Sequence, residues 1–272
     1  MKTLYLSDLD GTLLGDDSKL SAYSRDALNR MIKDGLLFSY ATGRAYHKAM
    51  RVVGEVDFRI PAIVYNGVFV TEPDGKILLE NDFGEEAEAL FHEILAKGLN
   101  PIVYTRIDGK ERFCFYDGEL NEGLTRFLDG RRREDNRAMP VLKKVALFCG
   151  KPFFFLCIDE EEKLRELHES IKNRFHSVLE RDFYAKQFVL EITSKNASKS
   201  ASALWLKNYL GCERLVVFGD GGNDLDLFRA ADEAYAVDAA VNELKAAARA
   251  VIGNNGKDAV VRFIEQEFSK KV

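Results

Sequence analysis

Short apolar runs that stop at an acidic or glycine-rich turn and lead into a helix recur at both ends of this chain, and that alternation limits its fold more than any other feature. Residues 3–7 form a β-like run ending at Asp8, after which Leu20, Tyr23, Ala27, Leu28, Met31 and Ile32 fall at helical spacing and Gly35 offers a stop. A second β-like run (36–41) meets Thr42-Gly43-Arg44 and a helical segment, and a third (62–65) closes at Asn66-Gly67. Pro73-Asp74-Gly75 between two β-rich runs reads as a hairpin over residues 68–80. After Ser194 the order is helix 198–210, strand 215–218, helix 223–230, strand 234–237, helix 243–248, strand 250–252 and helix 258–268. Strands that alternate with helices in this way predict an α/β fold with a doubly wound, Rossmann-like parallel sheet.

Between these flanks the texture changes. A helix over 85–97 precedes paired β-rich runs at 102–106 and 112–116. Then come a polar helix (120–132), a run at 144–149, a run at 153–158, a charged helix (160–174) and runs near Val178 and at 188–193. Paired strands separated by helices predict an α+β module of about 110 residues inserted as a unit. The expected organisation is a core over 1–81 and 190–272 interrupted by an inserted domain over 82–189, which a 272-residue chain can accommodate.

Charge removes several classes of function. The net charge is −5 with both signs interspersed, so a nucleic-acid footprint is not expected. No stretch approaches the length of a membrane span, and the first residues lack the apolar region of a secretory signal, so a cytoplasmic protein is expected. Cys114, Cys149, Cys157 and Cys212 have no paired metal spacing and read as reduced structural thiols. The four histidines are scattered on polar segments, which gives no support for zinc or a His-based triad.

Four sites remain, each at a strand-to-helix crossing or a helix start. Side chains two apart in an extended segment point the same way, so Asp8 and Asp10 are expected to present their carboxylates together at the end of the first strand. Two like charges that close call for a hard cation or for acid/base work, although a plain polar turn has the same spacing. Gly219-Asp220-Gly221-Gly222-Asn223-Asp224 follows another apolar strand, with Asp220 as an oxygen ligand and Asn223 or Asp224 as a helix cap. Thr42 and Gly43 are placed as donors to a bound anion. Lys199 opens a helix, where the macrodipole disfavours a cation unless an anion faces it; a solvated lysine is the alternative.

The order Asp8-Leu9-Asp10-Gly11-Thr12-Leu13-Leu14, Thr42-Gly43-Arg44, Asn66-Gly67, Lys199 and Gly219-Asp220-Gly221-Gly222-Asn223-Asp224 resembles the haloacid dehalogenase-like hydrolase superfamily. The insertion is similar to the large α/β cap of its Cof-type, sugar-phosphate-phosphatase-like branch. The resemblance implies a Mg²⁺-dependent phosphatase in which Asp8 is the nucleophile and Asp10 the general acid and base. It further implies a metal site made by Asp8, Asp10 through its backbone carbonyl, Asp220 and Asp224, and phosphate binding by Leu9, Thr42, Gly43, Arg44, Lys199 and Asn223. Ser200, Ala239 and Ala259 stand where the family often has Gly, Asn and Gly. The implied partner is a small phosphorylated metabolite, foremost a sugar phosphate, handled by a monomer or weak homo-oligomer. A phosphatase of flavin mononucleotide or pyridoxal phosphate, or a phosphomutase, would use the same scaffold. An inactive metabolite-binding protein is the alternative of another class, and the retained Asp8 argues against it.

Overall fold

A computed structural model describes residues 1–182 and 187–269, which divide into two compact units: 1–80 with 197–272, and 81–196. The elements in chain order begin with β1 (Thr3–Ser7), α1 (Ala22–Lys33), β2 (Leu37–Tyr40), α2 (Tyr46–Val53), β3 (Ala62–Val64), β4 (Phe69–Thr71) and β5 (Ile77–Glu80). The inserted unit holds α3 (Glu86–Ala96), β6 (Ile102–Ile107), β7 (Lys110–Tyr116), α4 (Glu122–Glu134) and β8 (Ala138–Val141). It continues with β9 (Lys151–Asp159), α5 (Glu161–Ile171), β10 (His176–Asp182) and β11 (Gln187–Thr193). The chain ends with α6 (Lys199–Tyr209), β12 (Arg214–Gly219), α7 (Leu225–Ala230), β13 (Glu233–Ala236), α8 (Asn242–Ala247), β14 (Ala250–Val251) and α9 (Ala259–Ser269).

The first unit is built on a five-stranded sheet in the order β14-β13-β12-β1-β2, with every neighbouring pair parallel. All five residues of β1 are buried, so both faces of this central strand are covered, as a doubly wound sheet requires. From β1 the chain moves outward to β2 on one side, and after the insertion it returns to β12, beside β1 on the other. The β1/β12 pair is therefore the switch point at which open sheets of this kind bind ligands, outside the carboxyl ends of the strands. The hairpin predicted over 68–80 is present as β4 and β5, and β3 completes a three-stranded antiparallel sheet with them.

Local signals account for the helices that frame the site. The Ser21 hydroxyl accepts from the Ser24 amide at 2.9 Å and starts α1, which buries Ala27, Leu28, Met31 and Ile32. Ser198 caps α6 in the same way, taking the Ala201 amide at 3.0 Å, so Lys199 sits in the first turn. A Cβ on Gly67 would lie 2.2 Å from the Ser198 carbonyl oxygen, and its φ of +101° is open to glycine at little cost, so the Asn66-Gly67 turn abuts the start of α6.

The inserted unit is a six-stranded sheet in the order β10-β11-β9-β6-β7-β8, antiparallel except for β7 and β8. Its core gathers Leu90, Phe91 and Ile94 of α3, Leu164, Leu167 and Ile171 of α5, and Phe155 and Cys157 of β9. Two expectations need correction here. The run at 144–149 is not a strand: Lys144–Leu147 forms a short 3₁₀ turn, and the strand lies earlier, at β8. β8 contains Pro140, which an edge strand tolerates because one side of it needs no backbone donor. The expected end of the insertion at residue 189 falls inside β11, whose pairing with β9 and β10 carries the unit on to Asn196.

Candidate active site

All the residues singled out for chemistry lie in the first unit, and the switch point brings Asp8, Asp220, Asp224 and Lys199 together. Asp8 follows β1 and is buried, its amide donating to the Phe218 carbonyl of β12 at 2.9 Å. Asp220 follows β12. Carboxylate oxygens of Asp8, Asp220 and Asp224 all lie within 4.8 Å of one another. The Lys199 ammonium, 1% exposed, bridges two of them, donating to Asp8 Oδ1 at 2.9 Å and to Asp224 Oδ1 at 2.7 Å. The anionic partner demanded by a lysine at a helix start is thus supplied by the protein's own acids.

Electrostatics follow from burial. Removal from water alone would lower the Lys199 pKa, but Asp224 and Asp8 outweigh it and hold the ammonium charged well above the usual lysine value. Burial pushes the Asp8 carboxyl up to about 8, with Lys199 pulling it down and Asp224 and Asp220 pushing it further up. Asp220 is driven up to about 6, chiefly by burial, against the hydrogen bond that the Thr12 hydroxyl donates to its Oδ1 at 2.7 Å. Three carboxylates around one ammonium leave surplus negative charge, which adds to burial in raising Asp8 and Asp220.

Asp10 departs from the expected pairing. The strand ends at Ser7 and residues Leu9–Leu13 form a tight turn, with Gly11 at φ +72°, so the two-residue alternation does not extend to Asp10. Its carboxylate is half-exposed and forms a bidentate ion pair with Arg44, Nε donating at 2.7 Å and the second nitrogen to the other oxygen. Asp8, by contrast, groups with Asp220 and Asp224. The Leu9 side chain is fully buried, so only its backbone is available to a ligand. Thr42 is buried, held by the Ile63 carbonyl through its amide; its hydroxyl accepts from the Arg44 amide at 3.2 Å and keeps its own hydrogen to donate. Gly43 beside it is exposed. Asp224 stands at the N-cap position of α7, but its side chain turns back instead of capping that helix: its Oδ2 accepts the amides of Asp220 and Gly221 at 3.1 and 3.2 Å, while Asn223 stays partly exposed.

Thr12 is the contributor that the residue-by-residue sequence reading passed over. It lies in the quoted Asp8 motif, and its register against Asp220 becomes visible only when β1 and β12 are neighbours. Gly11 is equally constrained, since a Cβ there would fall 2.3 Å from Asp220 Oδ2 on a left-handed backbone. We expect Gly11→Ala to displace Asp220, to destabilise the protein by about 1–3 kcal/mol in thermal unfolding, and to weaken divalent-cation binding in calorimetry. Unchanged cation affinity would show that Asp220 does not depend on this turn.

Residues 5–264 match the haloacid dehalogenase-like hydrolase family, which spans both halves of the core and the insertion together. The chain belongs to that family. Its relatives include the 5-amino-6-(5-phospho-D-ribitylamino)uracil phosphatase YwtE of Bacillus subtilis (strain 168), 27% identical over 281 residues and covering 96% of each chain. Another is the HMP-PP phosphatase of Klebsiella pneumoniae (strain 342), 26% identical over 276 residues, covering 97% of this chain and 95% of the relative. The crystal structure of a Thermotoga maritima protein superposes with a TM-score of 0.76 at 25% identity, covering 98% of this chain and 97% of the other. This haloacid dehalogenase-like hydrolase is accordingly a phosphoric monoester hydrolase. None of its described helices is long and apolar enough to cross a membrane.

Proposed function

We propose that this hydrolase is a Mg²⁺-dependent phosphatase that works through an aspartyl-phosphate on Asp8 and takes a small sugar phosphate as substrate. The observation that carries the reading is the convergence of Asp8, Asp220, Asp224 and Lys199 at the carboxyl ends of β1 and β12. The donors fit a hard cation: they are carboxylates, they outnumber the one ammonium among them, and Asp8 and Asp220 hold protons more tightly than ordinary acids. Asp8, Asp220, Asp224 and the Asp10 carbonyl would hold the ion. Bound there, it would offset the repulsion between the Asp8 carboxylate and an incoming phosphate dianion.

The chain's own groups would then perform two displacements. An Asp8 carboxylate oxygen attacks phosphorus, the ester P–O bond breaks, and the Asp10 carboxyl gives its proton to the departing alkoxide oxygen. In the second step Asp10 takes a proton from water, the water oxygen attacks phosphorus, and the P–O bond to Asp8 breaks to release orthophosphate. Acid and base work of this kind contributes roughly 10²- to 10⁴-fold. Arg44 would hold the Asp10 carboxyl in place between the two steps. The Thr42 hydroxyl, the backbone at Leu9 and Gly43, Lys199 and Asn223 would bind the phosphoryl oxygens as charge shifts in the transition state.

A second reading is favoured by the relatives: one acts on a ribityl phosphate that carries a uracil, and another on HMP-PP, so a phosphorylated cofactor or its precursor is the alternative substrate class. Orthophosphate release from a panel of sugar phosphates, flavin mononucleotide, pyridoxal phosphate and ribityl phosphates, ranked by kcat/KM with and without Mg²⁺, separates the two. Sugar phosphates at the head of the ranking support the first reading; flavin mononucleotide, pyridoxal phosphate or ribityl phosphates at the head support the second. Equal rates after chelation would remove the cation from the proposal.

The raised carboxyls set a pH dependence for the cation. From about pH 4 up to about pH 6 for Asp220 and about pH 8 for Asp8, the folded, metal-free chain keeps protons that the unfolded chain has released, so this contribution to stability is lost as pH rises through those values. A divalent cation competes with those protons. The rise in Tm caused by Mg²⁺ is therefore expected to grow from pH 5 to pH 8; a shift that is constant over that range would contradict carboxylate ligation.

A further inference from the structure

Two of the cysteines in the inserted unit stand in a relation that packing does not require. Cys114 lies in β7, fully buried, opposite Val103 of β6 and Met139 of β8. Cys149 lies between the 3₁₀ turn and β9 and is partly exposed. Their sulfurs are 2.9 Å apart. Both ends are anchored: β7 is held on two sides, and the Cys149 carbonyl accepts the Thr105 hydroxyl of β6 at 2.6 Å. A disulfide needs about 2.05 Å between sulfurs, so they need approach by less than about 1 Å. Cys157 and Cys212 are buried and serve the core.

We propose that Cys114 and Cys149 are a peroxide-responsive thiol pair that closes to an intramolecular disulfide. The two thiols share a hydrogen bond in which either sulfur can donate; with Cys114 as donor the Cys149 thiol is brought down to about 7, whereas this hydrogen bond and burial drive Cys114 up. Cys149 is thus the partly exposed thiolate that meets the oxidant. Its sulfur attacks one oxygen of hydrogen peroxide, the O–O bond breaks, and the displaced hydroxide takes a proton to leave as water, giving Cys149 sulfenic acid. The Cys114 sulfur, giving up its proton, then attacks the Cys149 sulfur. The S–S bond forms, the S–O bond breaks, and a second water departs with that proton. Overall two thiols are oxidised and one peroxide is reduced to two waters. The bond would tie the segment before β9 to β7 and close a loop holding α4, the edge strand β8, and the exposed Leu142 and Val145.

The test uses the full chain, reduced, freed of reductant and treated with one equivalent of hydrogen peroxide, then alkylated in denaturant and digested. Expected are a cross-linked Cys114–Cys149 peptide, a mass loss of about 2 Da, and a fall in alkylatable thiols from the four free cysteines to two, reversed by dithiothreitol. Oxidation should also raise Tm by roughly 5 °C or more, because the cross-link restricts the unfolded chain. Cys149→Ser should abolish the cross-link and the Tm rise, and Cys212→Ser should leave both unchanged. Cys114→Ser puts a hydroxyl at a fully buried position, so the decision rests on the other two variants. Four thiols still alkylated after treatment, oxidation of Cys149 to sulfinic acid with Cys114 left free, or a dimer on a non-reducing gel would each overturn the proposal.

Discussion

Asp8→Asn is expected to lower the turnover of any phosphomonoester the enzyme accepts by at least about 10³-fold while the fold survives. The amide has no lone pair of carboxylate basicity to attack phosphorus, and it contributes one less negative donor to the group formed with Asp220 and Asp224. Stability should change little, because the lost Lys199 contact is balanced by relief of a carboxyl whose pKa burial has pushed up to about 8, and Lys199 keeps Asp224. Steady-state orthophosphate release with Mg²⁺, with circular dichroism as the check on folding, decides the matter. A folded Asp8→Asn protein that turns over at the wild-type rate would end the aspartyl-phosphate proposal without touching the family assignment.

The second large effect concerns Lys199→Met. The ammonium is buried between Asp8 and Asp224, and removing one partner from a buried ionic group leaves uncompensated charge, at a cost of about 3–5 kcal/mol. For a protein of this size that corresponds to a Tm lower by roughly 5–10 °C. Turnover should collapse as well, because the same nitrogen is the candidate to hold a phosphoryl oxygen. Millimolar Mg²⁺ should restore part of the lost Tm, since a cation can supply the missing positive charge. Loss of turnover with an unchanged Tm would mean that the ammonium is needed by the substrate but not by the fold, and unchanged turnover would take Lys199 out of the site.

The alternation of apolar runs and helices, with acids or glycines at the ends of the runs, made the parallel core legible. Asp8 and Asp220 stand out because each ends a buried strand, and Lys199 because a helix start is a poor place for a cation. Spacing alone does not show that Asp8, Asp220 and Asp224 meet, which only the family resemblance implied, and the individual contacts among them were not legible. That Asp8 meets Asp224 through Lys199, and that Thr12 donates to Asp220, depends on β12 returning beside β1 after the whole insertion. The alternation expected of Asp8 and Asp10 does not hold for a local reason: it was carried past Ser7 into a turn, where the Asp10 carboxylate pairs with Arg44. In the inserted unit, apolar content at 144–149 outweighed the weaker pattern at β8, where a proline is tolerated only because the strand lies at the edge.

The contact of the Asn66-Gly67 turn with the start of α6 is reinforced by the Ser202 hydroxyl, which donates to the Gly67 carbonyl at 2.8 Å. The two sequence segments on either side of the interruption are therefore clasped to each other directly, by backbone and hydroxyl groups of the core itself. Changes in length or composition within 81–196 need not disturb the clasp. The inserted unit can thus change in sequence while the junction that holds the two core segments together stays fixed.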